Sequence, residues 1–294
     1  MSVQKLFSFG EFEGDGVFDF CPDTDYKFCV FSDLHHGYVN YNVFRCDQGL
    51  SRLTKILNES KDCDFLLSLG DFADNLLNGV KPYEELYALL DSHGARLFNG
   101  NNATRDKQMV YNVVGNHEIT YLEKEKLRDY IPYVEGAGNV YAFRHRDTLF
   151  AAYDALFTAD EEDDSPTHIR PCQHYTIPAK TIASLKKLIE ENVDGCKSIV
   201  AFTHICLKSI KESAKQAWLE TLLAYGLPVY IFEGHAHREN YQLFLGDNGN
   251  SAHVFTLPAV CDDDTYNRYE VFMRDGKLLR INAFEKPFNK ENIL

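Results

Sequence analysis

Five short apolar runs recur along the chain, and each ends in a side chain suited to hold a metal ion. KFCVFS (27–32) leads into Asp33-Leu34-His35, and DFLLSLG (64–70) leads into Asp71. MVYNVVG (109–115) is followed by Asn116-His117-Glu118, SIVAFT (198–203) by His204, and VYIFEG (229–234) by His235-Ala236-His237. Apolar runs of this length, bounded by glycine and polar residues, read as buried strands. Helical patterns lie between them near 47–60, 81–92, 179–193 and 211–225. Strands alternating with helices predict an α/β layered fold, in which ligands collect at the C-terminal ends of the strands.

The remaining segments fit around that frame. Residues 140–153 read as two strands joined by a turn at Arg146-Asp147. Strand-like segments follow at 240–245, 252–258, 266–273 and 277–284, the last two joined at Asp275-Gly276. The Asn-rich stretch 98–108 reads as a loop, and the acidic stretch 159–167 as a solvated one. Residues 1–26 suggest a hairpin or an irregular lead-in. With no internal repeat and no flexible linker, 1–294 is expected to form a single domain.

Charge narrows the partners. A net charge of −14 argues against a broad nucleic-acid surface, which needs clustered Lys and Arg. No stretch approaches the ~18 consecutive apolar residues of a membrane span. The N-terminus lacks the basic and apolar regions of a secretory signal. Eight cysteines are scattered without a CxxC pair, so buried, reduced thiols in a cytoplasmic protein are expected.

Taken singly, each strand-end residue has an ordinary explanation. Aspartate after a strand commonly caps a helix or makes a turn, and a lone histidine such as His204 is more often a hydrogen-bonded core residue. Five at the same topological position point to one shared target. Imidazole with carboxylate oxygen suits Mn, Fe, Zn, Ni or Co rather than the all-oxygen sites of Mg or Ca. There are enough groups for two ions if one carboxylate bridges them, and such a pair can clamp a phosphoryl centre. His235 and His237, on alternate residues past a glycine, would then serve one ion each.

Asp33-Leu34-His35, Gly70-Asp71-Phe72-Ala73-Asp74, Gly115-Asn116-His117-Glu118, His204 and Gly234-His235-Ala236-His237 follow the order D-x-H, GDxxD, GNH[DE], H, GHxH. In this the sequence resembles the calcineurin-like metallophosphoesterase superfamily, over residues 33 to 237. The resemblance implies a four-layer α/β/β/α sandwich of two mixed β-sheets flanked by helices. It assigns Asp33, His35 and His237 to one metal and Asn116, His204 and His235 to the other, with Asp71 bridging. It makes His117 the histidine beside the scissile bond and Asp74 the carboxylate that holds its imidazole.

The implied activity is hydrolysis of a small phosphomonoester or phosphodiester, a nucleotide or cyclic nucleotide among the candidates, by a hydroxide shared between two divalent or trivalent transition-metal ions. Protein phosphatases of the superfamily carry Arg directly after GDxxD; here that position is Asn75, which argues against protein phosphatase activity. A non-catalytic metal-binding scaffold on the same fold and a metal-dependent nuclease are the alternatives. The complete ligand set argues against the first and the net charge against the second. His36 reads equally as a substrate contact or a solvent-facing turn residue, and Cys206 as a packed thiol. Arg238 is a candidate phosphate contact, although Arg after a turn is usually a surface residue; Tyr38 and Asn40 have no role beyond position.

Overall fold

In β1 (Tyr26–Phe31), Phe28 and Val30 point to one face and Cys29 and Phe31 to the other, and all four are buried. The same alternation places Phe65 and Leu67 of β2 (Phe65–Ser68) in one core and Leu66 in the other. It repeats in β9 (Ser198–Thr203) and β10 (Val229–Glu233): Val200, Phe202, Tyr230 and Phe232 share the first core, Ile199, Ala201, Val229 and Ile231 the second. A strand buried on both faces must be apolar throughout, which is why these runs are continuous rather than alternating. The computed structural model describes residues 24–37, 48–74, 79–104, 106–120, 122–158, 175–246, 249–261 and 265–287.

The other strands are β3 (Ala95–Leu97), β4 (Gln108–Asn112), β5 (Tyr141–His145), β6 (Thr148–Ala152), β7 (Phe157–Thr158), β8 (Tyr175–Thr176), β11 (Asn240–Leu245), β12 (Ser251–Thr256), β13 (Thr265–Arg274) and β14 (Lys277–Pro287). The first sheet runs β14-β13-β1-β2-β4-β3 and the second β11-β12-β10-β9-β6-β5. In the first, β1, β2, β4 and β3 are parallel, and the hairpin β13–β14 adds antiparallel beside β1. In the second, β12, β10, β9 and β6 are parallel with antiparallel edges β11 and β5. β7 and β8 form a separate two-stranded ladder.

Between the sheets lies an aromatic core. Phe65 meets Phe28 at 5.2 Å between ring centroids and Phe150 of the second sheet at 5.0 Å. Outside, α1 (Gly49–Glu59) and α2 (Lys81–Ser92) cover the first sheet, and α3 (Ala179–Asn192) and α4 (Glu212–Leu223) the second. Leu53, Ile56 and Leu57 give α1 its buried face at i, i+3 and i+4, the spacing of a helix laid on a sheet. The expected four-layer sandwich of two mixed sheets is therefore present. Both hairpin turns form where the sequence places them, with Arg146 at φ 52° and Asp275 at φ 51°.

Asn102 organises the expected Asn-rich loop, donating from Nδ2 to the Leu97 carbonyl at 2.8 Å. Behind the site edge, Lys124 and Asp154 form a buried ion pair at 3.0 Å, and Asp154 also accepts from the Asn139 and Leu156 amides. Residues 1–23, the acidic stretch at 159–167, Tyr38, Asn40 and Asn75 lie outside the described residues. Cys29, Cys63, Cys196, Cys206 and Cys261 are buried free thiols. No helix among the described residues is long and apolar enough to cross a membrane.

Candidate metal centre

The C-terminal ends of β1, β2 and β4 in one sheet and of β9 and β10 in the other meet at one edge of the sandwich. Backbone hydrogen bonds tie the emerging loops together: Asp33 N to Gly70 O at 3.1 Å, His35 N to Asp71 O at 2.7 Å, and Gly234 N to His204 O at 3.0 Å. The chain turns sharply to aim its side chains inward. Asp33, His35, Asp71, His235 and His237 adopt φ of 55°, 50°, 46°, 66° and 50°. Left-handed backbone costs an L-residue roughly 1–2 kcal/mol, and such strain concentrates at functional sites. Glycines supply the room: a Cβ on Gly115 would fall on Oδ1 of Asp71, and one on Gly234 would fall on the Ser32 hydroxyl.

All nine residues singled out in the sequence come together. Asp33 Oδ1 faces His237 Nε2 at 3.1 Å and His35 Nε2 at 3.8 Å. Asn116 Oδ1 lies 3.0 Å from His204 Nε2 and 2.9 Å from His235 Nδ1. Asp71 joins the two groups, its Oδ2 standing 3.5 Å from His35 Nε2 and 3.2 Å from His204 Nε2. Ligand atoms around a first-row ion at ~2.0–2.2 Å stand about 3 Å from one another, so both donor groups are spaced to surround an ion. Asp33 Oδ1 is buried without a hydrogen bond of its own, an acceptor held ready for a cation. The residues present therefore fit two metal ions.

Hydrogen bonds behind the imidazoles orient their nitrogens. His204 Nδ1 lies 2.8 Å from the Leu69 carbonyl and can only donate to it, which leaves Nε2 as the inward lone pair. His35 Nδ1 lies 3.1 Å from Asp74 Oδ2, again turning Nε2 inward. His117 Nδ1 meets that same oxygen at 2.8 Å, while the His117 amide donates to Asp71 Oδ1 at 2.8 Å. Its side chain is 26% exposed, more open than His35 or His204, so a substrate can reach it.

Burial opposes charge throughout the cluster, and at Asp33, Asp71, His204 and His35 the opposite charges prevail. Burial works to raise Asp33, but the imidazoles of His237, His35 and His204 hold its carboxyl well below the usual range. Asp71 is likewise held low against burial by His204, His117 and His35. Burial works to lower His204, yet Asp71 and Asp33 raise it to about 9; His35 is raised well above normal by Asp71, Asp33 and Asp74. His235 goes the other way, to about 4, through burial and the neighbouring His204. His35 and His204 thus favour their protonated forms without metal, so loading metal on their Nε2 atoms would release protons.

Glu118 closes the GNH[DE] motif, and the sequence alone assigns it no role. It is fully buried and accepts from the Phe72, Ala73 and Gly115 amides at 2.6, 3.2 and 2.9 Å and from the Tyr83 hydroxyl at 3.3 Å. It thus pins the loop after β2 to the loop after β4. Burial and the Asp71 charge raise its carboxyl to about 8. His36 turns away from the cluster to Glu85 at 2.8 Å, and the buried Cys206 thiol bonds the Ser209 hydroxyl at 3.2 Å.

Among solved structures, the fold is similar to a dimetal phosphatase from Danio rerio, at TM-score 0.66 and 13% identity over 91% of this chain and 100% of that one. A 5′-nucleotidase from Candida albicans matches at TM-score 0.51 and 16% identity, over 92% of this chain and 52% of that one. The sulfate thiohydrolase SoxB from Thermus thermophilus matches at TM-score 0.51 and 13% identity, over 94% and 59%. The chain spans little more than half the length of the last two. No sequence among curated proteins matches this one. The sequence profile of the calcineurin-like phosphoesterases matches residues 26–239, most of the chain. The chain belongs to the calcineurin-like phosphoesterase family of metal-dependent phosphoester hydrolases.

Proposed function

We propose that the protein hydrolyses a small phosphomonoester or phosphodiester at a dinuclear centre. Asp33, His35 and His237 would hold one ion, Asn116, His204 and His235 the other, and Asp71 would bridge them. The observation that carries this reading is the position of Asp71 Oδ2 between His35 Nε2 and His204 Nε2, one from each donor group. Bound ions would polarise the phosphoryl oxygens and activate water at neutral pH.

The chain's own residues do the rest. Asp74 fixes His117 through Nδ1, which leaves Nε2 to hand a proton to the departing alkoxide. The Asp71–His117 amide bond keeps that ring in register with the bridging carboxylate. Glu118 and the two close-packed glycines hold the donor loops at the spacing described above.

The test is metal content of the purified protein, followed by hydrolysis of p-nitrophenyl phosphate and bis-p-nitrophenyl phosphate with added Mn²⁺. About two ions per chain are expected, with activity lost on chelation and in Asp71→Ala. Metal-replete protein that turns over neither these esters nor a broad panel of phosphoesters would overturn the reading.

A further inference from the structure

Directly behind the Gly234–His237 turn lies a second feature, a cavity of about 210 Å³. The loops that carry the imidazoles also build it. Ala236 lines the cavity while His235 and His237, on either side, face the metal donors, and Arg238 follows at its rim. After β9, His204 enters the cluster, and Cys206 and Lys208 turn into the cavity. The cavity therefore abuts the metal centre, with only the turn between them.

Its charges are unevenly engaged. The two carboxylates in the lining are occupied within the protein: Glu233 accepts from the Thr256 hydroxyl at 2.7 Å and the Leu207 amide at 2.8 Å, and Glu239 from the Tyr269 hydroxyl at 2.8 Å. Lys208 and Arg238 make no ion pair or hydrogen bond among the described residues, and neither do the side chains of Asn240 and Gln242. Other exposed cations, such as Lys180 and Lys211, are also unpaired among the described residues; what sets Lys208 and Arg238 apart is that both line one cavity. A guanidinium and an ammonium left open beside two carboxamides, at the edge of a phosphoester site, form a recognition set for an oxyanion. The volume is below that of a drug-sized pocket and suits one compact polar group.

We propose that this cavity binds a second phosphate group of the substrate, through Arg238 and Lys208, so that the preferred substrates are small molecules carrying two phosphates. This rests on the phosphoester-hydrolase reading of the adjoining centre. Net charge of −14 disfavours anionic ligands at large, and a local cation pair beside the centre is what selects one.

The test uses the full chain loaded with Mn²⁺. Calorimetric titration with inorganic phosphate should reveal two sites, the second lost in Arg238→Ala and weakened about tenfold in Lys208→Ala. The ratio of kcat/KM for adenosine 3′,5′-bisphosphate to that for p-nitrophenyl phosphate should fall about tenfold in Arg238→Ala and recover partly in Arg238→Lys. A single phosphate site, or a ratio unmoved by either substitution, would overturn the proposal. Should the wild type hydrolyse neither ester while Arg238→Ala still removes the second phosphate, the hydrolase reading fails and the cavity assignment stands.

Discussion

Oδ2 of Asp74 lies 3.1 Å from Nδ1 of His35 and 2.8 Å from Nδ1 of His117. One carboxylate oxygen thus orients both a proposed metal ligand and the proposed proton donor. Metal loading and proton delivery are therefore coupled through a residue that takes part in neither directly.

Asp74→Asn is expected to weaken metal binding about 10- to 100-fold and to lower kcat as well, because both rings lose the partner that fixes their tautomer. His117→Asn should lower kcat about 10²- to 10⁴-fold while metal content stays at the wild-type level. Metal analysis and steady-state kinetics on the two variants separate these outcomes.

Gly115→Ala should strip metal from the protein, because the added methyl takes the place of Oδ1 of Asp71 and drives that carboxylate from its position. A stability loss of about 1–3 kcal/mol is expected from the overpacking. Metal content and thermal melting of the metal-free variant check the two effects independently.

His204 predicts opposite pH trends with and without metal. Its imidazole is raised to about 9 against 6.5 when unperturbed. In the metal-free protein this stabilisation is complete below pH 6.5 and disappears as pH rises through about 9. Melting temperature of the metal-free chain should therefore fall across that window. Metal must displace the proton, so Mn²⁺ affinity should rise over the same window, with proton uptake by buffer measurable calorimetrically.

Lys124→Ala should be among the most destabilising single changes, at about 3–5 kcal/mol, since it leaves the Asp154 carboxylate buried without its cation. Denaturant unfolding reads the cost. Catalytic constants of the folded variant should change far less than those of Asp74→Asn, because the pair lies behind the donor loops.

The candidate donors are easier to read from the sequence than the fold that brings them together. Strand-end donors can be read because a strand buried on both faces must be apolar and must stop where a charged ligand begins; His204 and Asp71 stand at such stops. The antiparallel docking of β13 against β1, Val271 opposite Phe28, joins segments over 240 residues apart and leaves no local mark. β3 is only Ala95–Leu97, too short for a periodic signal. The acceptor that orients His204 is the Leu69 carbonyl, and a backbone group has no letter in a sequence. Glu118 was visible as a motif residue, but its role as a clasp between two loops depends on the amides of Phe72 and Ala73, which only the folded chain brings to it.

The left-handed backbone at Asp33, His35, Asp71, His235 and His237 sets folding against binding within the same five residues. A library randomised at these positions and selected only for a folded product should drift toward glycine and asparagine, which enter that conformation at least cost. Selection for turnover should restore carboxylate and imidazole. The positions where the two selections disagree most would outline the candidate metal centre from sequencing alone.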